Sequence, residues 1–478
     1  MEIESHPSPF TQKTSSPLLQ ISNESMESME NQINIIRKMS SLSFVDPPSQ
    51  GQSTFMTSLV ICNNIIGSTV MILPLVFGKC GIFTSLIVMI IIGAINFITC
   101  NLYVIHLKRN ESDIPQIIER ILGIKWKVIY VVTAILMEFL GGIVFLILMN
   151  NMLYPVVTFL FEKCGSDNYA KKSETRYDIY SFQINAWILS IPCYLSCYVK
   201  KINIFATLSK IGTYVLCLYV IFLIYIVCDS YNYGILPENL ENVSYFTSNI
   251  TEVSGAFCMA FFVHPSICPL IKPIKIEKES TKALGIGYVL SAIFYFLVGV
   301  IGFLGIRGRT PVDDHPQTIM DYFERDSFSP VIIEFLYFLK LGSIYPIFCF
   351  ISKSQFLSIF LQKYQQKGNC LFSFIYNTIY ISVGMVCVLY NINLTFVIGF
   401  SAAVFGFLFV YWLPIYIHLK CYESEEDEKR EEKRCNEHKE KFLYSHFLRG
   451  CFYMLLIVPI GIYLIIIQFV ALFDLKWM

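Results

Sequence analysis

Between residues 55 and 473, apolar runs of about twenty residues alternate with short polar connections. The runs are 55–77, 82–106, 127–150, 184–199, 202–228, 252–271, 283–305, 330–352, 371–390, 392–419 and 450–473. Each is close to the roughly 20 residues that a helix needs to cross a ~30 Å hydrocarbon core. The pattern therefore predicts an all-α integral membrane fold with eleven transmembrane helices. The fourth run is short and the ninth and tenth meet at Asn391-Ile392-Asn393, so ten and twelve are the neighbouring counts. Residues 1–54 are polar, rich in Ser, Asn, Glu and Pro, and carry no apolar signal-peptide region, which predicts a disordered tail. The first run would then serve as an uncleaved signal anchor. Residues 420–449 form a charged loop and 474–478 a short C-terminus.

Composition removes the alternative of one large soluble core. Of the 478 residues 55% are hydrophobic and 15% charged, and the mean hydropathy is +0.56, against about 45–50% apolar and about 25% charged in soluble domains. Lys+Arg and Asp+Glu both total 36, and no basic domain stands out, which excludes nucleic acid as a partner. The bases are unevenly placed. With the N-terminal tail inside, 25 of the 36 Lys and Arg fall in inside segments and 9 in outside ones, so the positive-inside rule predicts a cytoplasmic N-terminus and an outside C-terminus. Two sequons, at Asn242 and Asn249, fall in an outside loop under this orientation. Most of the 16 Cys sit inside apolar runs as small core residues, and Cys193 and Cys197 have no second pair with which to hold zinc. Phosphate-loop, zinc-protease and nucleophile-elbow motifs are missing, which speaks against an enzyme.

Two runs contain the means to break a helix. In the first, Asn63-Asn64 precede Gly67-Ser68-Thr69, with Pro74 following. Gly67 lies ten residues from Thr57, about 15 Å along a helix, and so near the bilayer midplane. The sixth repeats the design with Ala260-Phe261-Phe262-Val263-His264-Pro265 and Pro269. Non-helical backbone at that depth is tolerated only where it faces protein or a cavity, and interrupted helices at matched positions of two halves mark the central site of a transporter. Freed N–H groups suit a carboxylate and freed carbonyls suit an ammonium or Na⁺, so a zwitterionic amino acid fits better than a sugar or a metal. The bland reading, that Gly and Pro only permit close packing or a kink, stands beside it.

Asn63 through Val70 and Pro74, followed by Gly78-Lys79-Cys80-Gly81-Ile82-Phe83-Thr84, resembles the first helix of the amino acid/auxin permease family. Within it the chain is most similar to sodium-coupled neutral amino acid transporters of the lysosomal branch. Ala260–His264, Tyr345-Pro346 through Lys353–Leu357, and Gly399–Gly406 through Pro414 extend the likeness over most of residues 55–473. The resemblance implies two inverted five-helix repeats plus one extra helix, of the amino acid-polyamine-organocation type, working by alternating access. It implies substrate contacts at Gly67, Ser68, Thr69, Ala260, Phe261, Phe262 and His264, and Na⁺ ligation by Asn63 and Ser343, with Ile344 as the alternative position. Lys353 stands where the family has Arg, so a bidentate guanidinium contact is lost and sodium coupling is open.

Three charges lie within the runs: Glu138 in the third, Lys210 in the fifth and Lys340 in the eighth. Each costs at least about 2.5–3.5 kcal/mol to insert and is expected to face the bundle or a water path. Glu138 is a candidate proton carrier, or else an ion-pair partner of Lys340. Lys210 either supplies a fixed cation in place of Na⁺ or snorkels to the interface. His264 either relays protons and lines the path or is a hydrogen-bonded structural residue. Phe261 and Phe262 are either gates or packing. The expected protein is thus a secondary amino acid transporter using Na⁺ or H⁺ and no cofactor. A membrane amino-acid sensor with little flux is the competing class, and plasma membrane and vacuole or lysosome both remain open.

Overall fold

The computed structural model describes residues 52–474 except 109–110, 112, 167, 173, 199–201, 233–244, 248–249, 308, 312–315, 324–327, 361–369 and 422–436. Residues 1–51 of the predicted N-terminal tail, Asn242, Asn249, residues 422–436 of the 420–449 loop and nearly all of the C-terminal 474–478 lie outside the described residues. The end of the expected tail is ordered, with Gln52 bridged to Ile274 and Thr54 opening the first helix.

Among the described residues the architecture is helical, with two isolated β-bridges and no named strand. The first run is two pieces, α1 (Thr54–Ile65) and α2 (Leu73–Cys80), joined through a 3-10 turn at Ser68–Met71. Then come α3 (Ile82–His106), α4 (Ile114–Leu122), α5 (Ile124–Lys163), α6 (Phe182–Ser196) and α7 (Ile202–Asn232). The sixth run is again two pieces, α8 (Thr251–Ala260) and α9 (Ile267–Ile271), joined through a 3-10 turn at His264–Ser266. Helices α10 (Ser280–Ile306), α11 (Phe328–Phe360), α12 (Cys370–Leu389), α13 (from Leu394) and α14 (Glu437–Asp474) complete the chain. A π turn at Phe407–Trp412 interrupts α13, which runs on to Cys421.

Eight of these helices are long and apolar enough to cross a membrane. The other three expected runs are helical but short or divided: α1 with α2, the 15-residue α6, and α8 with α9. The boundaries differ most in the third and last runs, where α5 continues 13 residues beyond the expected end at 150, through Pro155 to Lys163, and α14 begins 13 residues before the expected start at 450. Apolar content measures where lipid lies, whereas a helix continues for as long as its backbone bonds are satisfied. Three positions show where local sequence sets the ends. Ser181 caps α6 by accepting from the Ile184 N–H at 3.3 Å, and Asn393 caps α13 by accepting from the Phe396 N–H at 3.2 Å. Gly81 turns the chain from α2 to α3 at φ 80, a conformation that favours glycine.

The broken helices lie among the others rather than at the edge. Helix α1 packs on α10, α8 on α13, and α11 on both α5 and α7. Gly255 of α8 and Gly399 of α13 meet so closely that a Cβ on Gly255 would stand 2.6 Å from the Gly399 Cα. The outward stripe of α10 is apolar: Val289, Ile293 and Leu297 are 46–59% exposed at i, i+4 spacing, as a lipid-facing surface requires.

One end of the bundle is closed by a polar network between loops. Lys172 Nζ bonds Asp321 Oδ1 at 2.6 Å, with both side chains almost wholly buried. Asp321 Oδ2 also accepts from the backbone N–H groups of Gln317 and Thr318, each at 2.8 Å. Gln317 bridges Asn151 of α5 to Asn391 of the α12–α13 turn. At the opposite end Arg120 of α4 bonds Glu111 at 2.5 Å, Lys272 donates to the Glu111 carbonyl, and His106 of α3 meets His418 of α13 at 2.9 Å.

Candidate functional site

Helix α1 stops at Ile65 because Gly67 (φ −106, ψ −148) leaves helical geometry and a 3-10 turn follows. Helix α8 stops at Ala260, and Pro265, with no N–H to give, sits at the start of the next turn. Each break leaves carbonyls at a helix C-terminus without intrahelical donors. Tyr295 of α10 serves both. Its hydroxyl lies 2.5 Å from the Ile65 carbonyl and 3.0 Å from the Ala260 carbonyl, and the side chain is fully buried. One hydroxyl has one proton, so two carbonyls share a single donor and retain lone pairs for a further donor. Tyr288 donates to the Phe261 carbonyl at 3.2 Å, and the Tyr337 hydroxyl lies 3.5 Å from that of Gly67. Tyrosines of α10 and α11 thus reach the freed acceptors of both breaks.

Most of the residues expected from the two breaks lie in the interior. Thr69, Ala260, Phe261 and His264 are buried, and Asn63, Gly67 and Phe262 half-buried. The Ser68 side chain and that of Lys210 on α7 fall outside the described residues. Phe261 lies within an aromatic cluster, stacked on Tyr288 at 6.0 Å and edge-on to Tyr295 at 5.4 Å. Phe262 stacks on His264 and stands edge-on to Phe409 of the π turn. The His264 Nε2 is 3.0 Å from the Thr99 hydroxyl of α3, while its Nδ1 is buried without a hydrogen bond.

The charges within the spans are distributed differently from one alternative raised above. Glu138 and Lys340 form no ion pair. Glu138 Oε1 accepts from Gln355 Nε2 at 3.3 Å, its Oε2 has no hydrogen-bond partner, and its backbone carbonyl accepts from Tyr380 of α12. Gln355 is fifteen residues beyond Lys340, about 22 Å along α11, so the two charges lie at different depths along that helix. Lys340 Nζ is also buried without a hydrogen bond and lies 4.9 Å from the centroid of the Tyr337 ring. The Ser343 hydroxyl donates to the Lys340 carbonyl at 2.7 Å, a bond within its own helix. Lys353 donates to Asn377 Oδ1 at 3.3 Å and the Cys197 carbonyl at 3.4 Å, holding α11 to α12 and to the end of α6. Among the described residues no group of three or more His, Cys, Asp or Glu could hold a metal ion.

Four residues of this region were not singled out from the sequence: Tyr219, Tyr288, Tyr295 and Tyr337. In a chain with 29 Tyr and 40 Phe an aromatic carries little information by itself. The usable signal was spacing: Tyr288 and Tyr295 lie seven residues apart, so one face of α10 presents both hydroxyls.

Two internally broken helices within a membrane-spanning bundle are a recurring build among membrane transporters. The solved structures agree at the level of the fold. MhsT in complex with L-phenylalanine aligns over 89% of this chain and 99% of its own, at TM-score 0.55 and 13% identity. The inward facing conformation of Mhp1 aligns over 88% and 94%, at TM-score 0.50 and 12% identity. Residues 50–463 match the family described as transmembrane amino acid transporter protein, and the chain belongs to that family. Among curated relatives, neutral amino acid transporter 9 of Danio rerio is 21% identical over 422 residues, covering 78% of this chain and 76% of its own. The sodium-coupled neutral amino acid transporter 9 homolog of Caenorhabditis elegans is 20% identical over 428 residues, covering 77% and 68%. The protein is therefore a multi-pass membrane protein of an amino acid transporter family, a class that is not enzymatic.

Proposed function

We propose that the chain is a secondary active transporter that moves free amino acids by alternating access, with Na⁺ or H⁺ as the coupling ion. The observation that carries this reading is the Tyr295 hydroxyl at hydrogen-bonding distance from the last carbonyls of both half-helices, Ile65 and Ala260. Those carbonyls are under-supplied with donors, as a site for a substrate ammonium should be. Gly67, Ser68, Thr69, Ala260, Phe261, Phe262 and His264 form the substrate site. Asn63, Ser343, Glu138 and Lys210 are the ion-coupling residues, with Asn63 and Ser343 holding the cation where Na⁺ couples. The transporter domain spans residues 55–473 as eleven helices, two inverted five-helix repeats plus one. The N-terminus is cytoplasmic, and the resident membrane is the plasma membrane or that of a vacuole or lysosome.

The test is reconstitution of the full chain in liposomes with labelled amino acids, with and without a Na⁺ or pH gradient. Saturable uptake driven by one of the gradients is the expected result. Binding without flux would replace the carrier reading with that of a membrane sensor, and neither binding nor flux would end both.

A further inference from the structure

Beside the break in the first helix lies a group of polar side chains that want an acceptor. Lys340 Nζ is the first: the side chain is 8% exposed, carries up to three N–H donors, and finds no hydrogen-bond partner. The Tyr219 hydroxyl of α7 is the second, with the residue fully buried and again without a partner. Tyr337 joins the two. Its ring lies under Lys340 Nζ at 4.9 Å and edge-on to the Tyr219 ring at 6.1 Å, and its hydroxyl lies 3.5 Å from the Gly67 carbonyl. Buried donors are normally paired, and each one left unpaired costs the folded protein free energy. Two orphans around one ring, next to a break in a membrane helix, are the mark of a seat that a ligand completes.

Donor chemistry decides which ligand. A cation needs oxygen acceptors, and a lysine nitrogen at the site would compete with it for them. A carboxylate has two oxygens that only accept. The complementary half of a zwitterion already has its place, since the carbonyls of Ile65 and Ala260 call for an ammonium. We propose that Lys340 Nζ and the Tyr219 hydroxyl hold the α-carboxylate of the substrate amino acid, with the Tyr337 ring as the floor of that seat. The assignment rests on the transport reading above and adds to it the side chains that select for a free carboxylate. It also gives Lys340, which the sequence offered only as a buried charge and a partner for Glu138, a place in selectivity.

The test is a binding assay on the full-length protein in nanodiscs, using L-leucine, L-phenylalanine and L-glutamine together with their carboxamides, which lack the charge. The unaltered protein should bind the acids at least about tenfold more tightly than the amides, the scale of a hydrogen bond to a charged group. K340M should weaken the acids by about that factor and leave the amides unchanged, so that discrimination collapses. Y219F removes one hydroxyl from an otherwise intact ring and should weaken the acids severalfold, again sparing the amides; it carries the test if K340M does not fold. Discrimination that survives in the folded variants overturns the assignment, as does an equal loss of acid and amide binding, which marks a structural role. Chloride-dependent binding with no preference for acid over amide would give the seat to an inorganic anion and also overturn it. If the unaltered protein binds neither acids nor amides, the transport reading itself fails and takes this inference with it.

Discussion

Among the described residues two lysines are buried, each above an aromatic ring, and they live in opposite circumstances. Lys172 lies 5.8 Å from the Phe182 ring and bonds Asp321 at 2.6 Å, while the carboxylate's other oxygen takes two backbone N–H groups. Lys340 lies 4.9 Å from the Tyr337 ring and meets no acceptor. Burial and ring contact are shared, so neither explains the difference. What separates them is the inventory of partners. The first region is complete without a ligand and fastens two loops at one end of the bundle; the second lacks an acceptor beside a broken helix.

The comparison breaks most visibly through stability. Lys172→Met leaves Asp321 buried and uncompensated, and should cost about 3–5 kcal/mol in thermal or denaturant melts of the purified protein. Lys340→Met removes an unpaired group instead, and should stabilise the ligand-free protein by about 1–3 kcal/mol. If both variants lose stability alike, the two lysines are not different in kind. Tyr295→Phe comes next: it deprives the Ile65 and Ala260 carbonyls of their shared donor, with an expected cost of about 1–2 kcal/mol and a fall in liposome uptake of roughly tenfold. Unchanged uptake would detach the breaks from the substrate path.

Glu138→Gln should leave stability within about 1 kcal/mol, because an amide keeps an oxygen for the Gln355 contact. If Glu138 carries the coupling proton, the variant loses pH-driven uptake; uptake that persists removes the residue from coupling. The smallest effect is the pH dependence of the closed loop end. Burial pushes the Asp321 carboxyl up, but the Lys172 ammonium and the Gln317 and Thr318 N–H groups outweigh it and hold the carboxyl below its ordinary value of 3.8. Such a group stabilises the fold at pH values above the unfolded value, and the contribution is lost as pH falls through the lowered folded value. Its share of a melting profile should therefore be flat from about pH 7 to about pH 5 and decline only below the ordinary value. A decline already complete by pH 5 would mean that the pair is not formed.

Legibility in the sequence followed the range of the interaction. The breaks were readable because Gly67, Pro74 and Pro265 act on their own backbone within a few residues. The lone charges were readable because any charge in an apolar run stands out. Their partners were not. Lys172 and Asp321 are 149 residues apart, and Tyr295 is 230 residues from Ile65, so no local pattern links them. The Glu138–Lys340 pairing shows the same gap from the other side: opposite charges in the third and eighth spans suggested a contact, and the depth along α11 denies it.

By itself, then, the sequence determined that this chain is a helical membrane protein, where its helices break, and which family it belongs to. Apolar run length, backbone-breaking residues and motif order are all properties of neighbouring residues. Only the tertiary structure decided which buried lysine is paired and which is not, and that one tyrosine hydroxyl serves two broken helices. Hydrogen bonding acts over about 3 Å in space, a distance that separation along the chain does not encode.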